Sequence, residues 1–127
     1  MGLILDTNAL SAVVDDEPGI REALGREDLV AIPVIVLGEY EFGIAQSRRR
    51  EQHQQWLRES LHAYRVLDIT ADTARSYAIV RAELKGAGKP IPSNDLWIAA
   101  LCRQHRLPVL SRDRHFDYVS GLQRVNW

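Results

Sequence analysis

The fold of this chain is decided by the stretch Gly2-Leu3-Ile4-Leu5-Asp6-Thr7-Asn8, in which a short apolar run ends abruptly in three polar residues. The apolar run is too short for a helix, and it therefore predicts a buried β-strand. Any of the three polar residues can cap a helix, which we expect to continue to about Val14. The stretch thus predicts a strand that passes directly into a helix, which is the repeating unit of α/β folds.

The same alternation continues along the rest of the chain. Further strands are predicted over residues 29–32, 65–69, 108–110 and 124–125, and helices over residues 20–25, 34–46, 51–64, 70–85 and 92–105. Strands that alternate with helices favour a mainly parallel central sheet flanked by helices in three layers, so the expected class is α/β. Because the sequence contains no linker and no repeat, we expect one domain over residues 1–127.

The composition is that of an ordinary globular protein. Hydrophobic residues make up 46% of the 127 residues, and no apolar run approaches the roughly 18 residues that a membrane helix requires. The start of the chain lacks the basic region of a secretory signal, and the single cysteine, Cys102, excludes an internal disulfide. We therefore expect a cytoplasmic protein. A net charge of −1 does not by itself indicate a nucleic-acid partner.

Acidic residues are predicted to gather at one edge of the sheet. Asp6 follows the first strand and Asp113 follows the strand over 108–110, so both lie at carboxyl ends of strands, where the sites of α/β sheets form. Asp95 lies in the first turn of the helix that leads back into that strand, which places it at the same edge. Glu39 lies roughly 8 Å along the helix that follows the second strand, and it is set back from the edge.

Two of these acids are predicted to face the core. The residues on the same helical face as Glu39 are Ile35, Val36, Phe42 and Gly43, and those on the face of Asp95 are Ile98, Ala99 and Cys102. A carboxylate on such a face must be neutralised, paired or bound to a metal. The nearest candidate cations are Arg112 and Arg114, which flank Asp113.

The acidic edge as a whole predicts a divalent-metal site. Several carboxylates in one pocket repel one another, and a divalent cation removes that repulsion. Ligands that are all oxygen atoms suit Mg²⁺ or Mn²⁺. Such a metal activates water and clamps a phosphate, so metal-assisted hydrolysis of a phosphodiester is the chemistry that these residues indicate.

Four motifs follow one another along the sequence. They are Leu5-Asp6-Thr7-Asn8, Gly38-Glu39, Asn94-Asp95-Leu96-Trp97-Ile98-Ala99-Ala100 and Ser111-Arg112-Asp113-Arg114-His115-Phe116. The ordered set resembles the PIN-domain family and, within it, the VapC-type toxins of bacterial toxin–antitoxin pairs. The Asp-Thr-Asn triplet alone is a weak signal, whereas the four motifs at these spacings are specific, and the resemblance covers essentially the whole chain.

The resemblance implies an activity and a set of site residues. It implies cleavage of RNA, often tRNA or rRNA, with Mg²⁺ or Mn²⁺ as the cofactor. Asp6 and Asp95 match the principal metal ligands, and Glu39 and Asp113 match the third and fourth catalytic acids. The supporting positions that it implies are Thr7, Asn8, Ser111 and Asp117.

The resemblance also implies protein partners. It implies a homodimer and a cognate VapB-like antitoxin, whose C-terminal segment lies in a groove by the active site and can insert an Arg among the acids. The preference for RNA over DNA and the toxin role come only from this resemblance, whereas the metal site follows from the residues themselves.

Two alternatives stay open from the residues alone. A receiver-like phosphoryl-transfer domain needs a second acid close after the first, but Thr7 and Asn8 follow Asp6, and no lysine is well placed. A non-catalytic interaction module on the same fold is expected to have lost one of the acids, and all four are present. His115 could contact substrate, but the expectation is that it starts a helix or packs against its neighbours.

Overall fold

A central sheet of parallel strands organises the structure, a computed structural model that describes residues 1–25 and 27–127. Its strands are β1 (Gly2–Leu5), β2 (Leu29–Pro33), β3 (Arg65–Leu67), β4 (Val109–Leu110) and β5 (Arg124–Val125). Their order across the sheet is β3-β2-β1-β4-β5, and every pairing is parallel. The predicted α/β class is confirmed.

Helices connect the strands and flank the sheet. They are α1 (Thr7–Val14), α2 (Ile20–Leu24), α3 (Val34–Ala45), α4 (Arg50–Ser60), α5 (Ala71–Gly86) and α6 (Ser93–His105), and short 3-10 helices lie at Leu61–Ala63 and Arg114–Tyr118. Within residues 1–25 and 27–127, no helix combines the length and the apolar character that crossing a membrane requires.

The central strand forms where the sequence predicts it. Leu3, Ile4 and Leu5 are each at most 2% exposed, as expected for a parallel strand that is covered on both faces. β3 ends at Leu67, two residues before its predicted end. The cause is the next helix, because Thr70 and Thr73 form a capping box that opens α5 and the chain must already turn towards it.

The predicted core-facing position of Glu39 is wrong. α3 buries the stripe Val36, Tyr40 and Ile44, whereas Glu39 is exposed and Phe42 is 71% exposed. Apolar residues occur almost all round α3, so the sequence periodicity does not show which stripe is buried. For Asp95, the predicted core-facing position agrees with the structure, since Ile98, Ala99 and Cys102 on the same face of α6 are all buried.

Candidate active site

Asp6 is the buried acid at the centre of the candidate site. It directly follows β1 and caps α1, and its Oδ1 accepts a hydrogen bond of 2.8 Å from the backbone N–H of Ala9. The residue is only 6% exposed. Burial raises the pKa of Asp6 above its ordinary value, and the negative charges of Asp113 and Glu39 raise it further, although hydrogen bonds from Ser111 and Ala9 oppose the rise.

Ser111 joins the first strand to the fourth. Leu5 pairs with Leu110, so the residues that follow them, Asp6 and Ser111, lie side by side beyond the carboxyl ends of the strands. The buried Ser111 hydroxyl donates to Oδ2 of Asp6 and accepts a hydrogen bond of 2.9 Å from the backbone N–H of Asp113. One hydroxyl therefore holds two acids that are far apart in the sequence.

Asp95, Asp113 and His115 form the most tightly grouped part of the site. One ligand atom from each lies within 4.8 Å of the others. His115 Nδ1 is 2.9 Å from Oδ1 of Asp113 and 3.7 Å from Oδ2 of Asp95, and the backbone N–H of His115 donates to Asp113 at 2.9 Å. The first turn of α6 and the start of the 3-10 helix Arg114–Tyr118 bring these groups together.

The two carboxylates of this group titrate differently. Burial and the neighbouring charge of Asp113 raise the pKa of Asp95 to about 6. Burial also acts to raise the pKa of Asp113, but the hydrogen bonds from His115 outweigh it and the pKa is lowered. One acid therefore gives up its proton near neutral pH while its neighbour is already ionised, as expected where carboxylates are crowded together.

Glu39 joins the site through Thr7. The Thr7 hydroxyl donates a hydrogen bond of 2.9 Å to Oε1 of Glu39, and Thr7 immediately follows Asp6. Because Glu39 is exposed on α3, it lies at the rim of the site. Its negative charge still reaches Asp6, where it contributes to the raised pKa.

Two predicted supporting residues lie outside this hydrogen-bonded group. Asn8 is exposed in the first turn of α1. Asp117 pairs with Arg124, whose Nε and Nη2 are 2.8 Å and 3.0 Å from its carboxylate oxygens, and this partner lowers the pKa of Asp117. Arg112 is also turned to other partners, because it binds Glu17 at 2.7 Å.

Sequence reasoning missed the contact between His115 and Asp113. His115 lies at the start of the 3-10 helix Arg114–Tyr118, as the sequence suggested, but its imidazole also contacts Asp113, which the sequence did not predict. The signal available was its position two residues after Asp113 in a tight turn, where both side chains can point the same way. The neighbour of the acids is therefore a histidine and not one of the two arginines that flank Asp113 in sequence.

The donor set fits a divalent cation. The carboxylates of Asp6, Asp95 and Asp113 lie together, and the raised pKa values of Asp6 and Asp95 show that ionising both of them beside the ionised Asp113 is unfavourable in the protein alone. A cation with a preference for oxygen ligands removes that cost. The predicted acidic cluster can therefore hold a metal, with the imidazole of His115 as a further donor within reach.

Comparison with known proteins agrees with this geometry. The family model described as the PIN domain matches residues 3–122 of the chain. The chain belongs to the PIN-domain family. This membership disfavours the receiver-like alternative, and it agrees with the order of the four motifs along the sequence.

Curated relatives of this PIN domain match nearly end to end. The chain is 35% identical to the VapC ribonuclease Y4jK of Sinorhizobium fredii and 30% identical to the ribonuclease VapC2 of Rickettsia felis. Each alignment covers 98% of this chain and 96% of the relative. Both relatives are named as ribonucleases.

A solved structure shows the same fold. A chain in the crystal structure of VapBC2 from Rickettsia felis bound to a DNA fragment from their promoter superposes with a TM-score of 0.86. The two chains are 28% identical, and the match covers 100% of this chain and 99% of the other. PIN nucleases generally use a divalent metal, which agrees with the acidic cluster described above.

Proposed function

We propose that this chain is a metal-dependent endoribonuclease and the toxin component of a type II toxin–antitoxin pair. The observation that carries the proposal is the convergence of Asp6, Asp95 and Asp113 at one edge of a PIN-family fold. The relatives named as VapC ribonucleases, aligned over 98% of this chain, support RNA as the substrate.

The proposed cofactor is Mg²⁺ or Mn²⁺, held principally by Asp6 and Asp95. Their carboxylate oxygens are the ligands that these cations prefer. When bound, such a cation lowers the pKa of a water molecule and neutralises charge on a phosphate. Asp113 and Glu39 are proposed to complete the set of catalytic acids.

The other polar residues of the site are proposed to hold these acids in place. Ser111 orients Asp6 through its hydroxyl, and Thr7 orients Glu39. His115 keeps Asp113 ionised by donating to its carboxylate. Asn8 and Asp117 are proposed as supporting residues nearby, since Asn8 is exposed beside Thr7 and Asp117 follows His115 in the same 3-10 helix.

The proposed partners follow from the solved relatives. The similar Rickettsia felis chain was crystallised in VapBC2, which supports a VapB-like antitoxin as partner here. We propose that the antitoxin occupies a groove by the acids, where an Arg can pair with them, and that two copies of the chain form a dimer. We further propose one domain over residues 1–127, supported by a core that runs from Ile4 to Val119, and a cytoplasmic location.

The test is cleavage of RNA by the purified chain without antitoxin. Total cellular RNA is incubated with Mg²⁺ or Mn²⁺, then with EDTA, beside Asp95→Asn and an exposed control, Asp68→Asn. We expect cleavage that requires the metal, is lost in Asp95→Asn and is kept in Asp68→Asn. Equal cleavage by a correctly folded Asp95→Asn protein would refute the mechanism, and absence of cleavage with either metal would favour a non-catalytic interaction module.

A second test addresses the toxin role. The chain is expressed alone in a bacterial host, beside the Asp95→Asn variant at the same level of soluble protein. We expect the wild type to arrest growth and the variant to leave it unaffected. Normal growth with ample soluble wild-type protein would contradict the toxin assignment while leaving the ribonuclease to be judged by cleavage.

A further inference from the structure

Tyr118 is a large aromatic side chain that the fold leaves exposed. In the segment around it, Phe116 is 0% exposed and Val119 is 3% exposed, so both belong to the core. Tyr118, between them, is 46% exposed. Packing therefore explains its neighbours but does not explain an aromatic ring at this position.

The ring lies one side chain away from the acidic cluster. Its centroid is 6.2 Å from that of His115, in an edge arrangement. His115 in turn contacts Asp113, with Nδ1 2.9 Å from the carboxylate oxygen. A nucleotide next to a phosphate held at the acids would therefore lie within reach of Tyr118.

A cation lies over the same ring. Lys89, in the segment that joins α5 to α6, places Nζ 5.2 Å from the centroid of Tyr118. Such a contact is weak at an exposed site, and the flexible lysine stem allows the ammonium to move to a phosphate oxygen. The ring and the cation together offer a surface for a planar group and a contact for the negative charge next to it.

Tyr118 also forms part of the wall of a pocket of about 310 Å³. The apolar lining comes from Leu84, Ala87 and Val119, while Glu83 and Ser120 supply polar atoms. Apolar walls with a few polar groups are typical of sites that take a flat ligand with donors and acceptors at its edge. A nucleobase has this character.

We propose that Tyr118 and Lys89 form a nucleotide subsite beside the acidic cluster, where Tyr118 stacks on a base of single-stranded RNA and Lys89 contacts its phosphate. The inference rests on the proposed ribonuclease function, which places the scissile phosphate at the acids. Stacking on an exposed aromatic ring beside a cation is the way in which proteins bind single strands with little sequence preference. Tyr118 and Lys89 are thus positioning residues for the substrate.

The experiment measures RNA binding without cleavage. A fluorescein-labelled 12-nucleotide single-stranded RNA containing all four bases is titrated with the full chain in EDTA and followed by fluorescence anisotropy. An abasic strand of the same length serves as the matched ligand control. The variants are Tyr118→Ala, Tyr118→Phe and Lys89→Gln, with Ile79→Ala and Lys85→Gln as controls for an exposed apolar side chain and an exposed lysine on α5.

Tyr118→Ala is expected to weaken RNA binding about 5- to 150-fold, which corresponds to the loss of about 1–3 kcal/mol of stacking. Tyr118→Phe keeps the ring and is expected to bind within about twofold of the wild type. Binding of the abasic strand should be unaffected by either change. Lys89→Gln is expected to reduce the slope of log binding constant against log salt concentration by about 1, the value for one phosphate contact. Lys85→Gln is expected to leave this slope unchanged.

Cleavage kinetics give a second readout that a structural role would not produce. With metal present, Tyr118→Ala is expected to raise KM by more than it lowers kcat, because the subsite acts in binding. Three results would overturn the proposal: RNA binding by Tyr118→Ala within twofold of the wild type, equal loss of binding to the abasic strand, or no binding of RNA by the wild type. A wild type that binds RNA through Tyr118 but cuts none would refute the ribonuclease and keep the subsite.

Discussion

Replacing Asp95 with asparagine is predicted to stabilise the metal-free protein while abolishing its activity. The pKa of Asp95 is raised from 3.8 to about 6 by burial and by the charge of Asp113. The folded protein therefore holds the Asp95 proton more tightly than the unfolded chain does. As the pH rises from about 4 through 6, the wild type loses stability, because ionisation of this carboxyl is easier in the unfolded chain.

The size of the effect follows from that pKa. A rise of this size corresponds to roughly 3 kcal/mol at 1.36 kcal/mol per pKa unit. Because the Asp95 side chain is 19% exposed, solvent screens part of this repulsion. We therefore expect Asp95→Asn to raise the free energy of unfolding by about 1–3 kcal/mol above pH 7, and Tm by roughly 3–12 °C for a domain of this size.

The assay is thermal unfolding in EDTA at a series of pH values from 4 to 8. The gain should be smallest at pH 4, where the wild-type carboxyl is protonated in the folded protein and only partly ionised in the unfolded chain, and should reach its full size above pH 7. Asp68→Asn removes an exposed carboxylate after β3 and serves as the control, for which no such gain is expected. A variant that is less stable than the wild type at pH 7.5, or a gain that does not change with pH, would refute the argument from crowded acids.

Three further predictions concern the Ser111 hydroxyl that holds Asp6, the metal and the core. Ser111→Ala leaves Oδ2 of Asp6 and the N–H of Asp113 without their partner, so we expect a loss of about 1–3 kcal/mol in urea unfolding together with reduced RNA cleavage. Mn²⁺ is expected to raise Tm little at pH 5 and much more at pH 7.5, because Asp95 with a pKa of about 6 must lose its proton before it binds a cation. The measurement is scanning fluorimetry at the two pH values. An equal rise of Tm at both would contradict a metal site that contains Asp95. Phe116→Ala empties a fully buried position, and a loss of about 3–5 kcal/mol is expected in the free energy of unfolding.

Matched controls separate these effects from general damage. Ser60→Ala removes the hydroxyl of a half-buried serine at the end of α4 and should leave both stability and cleavage unchanged. A Ser111→Ala protein with wild-type stability and wild-type cleavage would show that the hydroxyl does not hold Asp6. For the core, Tyr118→Ala changes an exposed neighbour of Phe116 and should cost far less stability than Phe116→Ala.

Much of the fold was predictable because the local signals agree with one another. The apolar run before Asp6 marks β1, and the same Asp6 caps α1 through Ala9, so a single residue ends one element and begins the next. The alternation of strands and helices then implies a parallel sheet, since parallel neighbours require a crossover. The edge at which Asp6, Asp95 and Asp113 gather follows from this connectivity alone.

Other features were not predictable from the sequence. On α3, the apolar residues surround the helix, and only packing selected the stripe that contains Val36 and Ile44 for burial, which left Glu39 and Phe42 exposed. Asp117 follows Asp113 closely in sequence, yet Arg124 on β5 pairs with it. The partner of a charged side chain depends on which elements are adjacent in space, and a short-range pattern of residues in the sequence contains no information about that.

By itself, the sequence determined the fold class, the edge of the sheet that carries the acids and the membership of the PIN family, because strand and helix periodicity, capping residues and motif spacing are local properties. Only the tertiary structure decided how the acids are held. Ser111 joins Asp6 to the turn of Asp113, and His115 reaches between Asp113 and Asp95. These contacts join residues from different elements, and they exist only after β1, β4 and α6 have packed against one another.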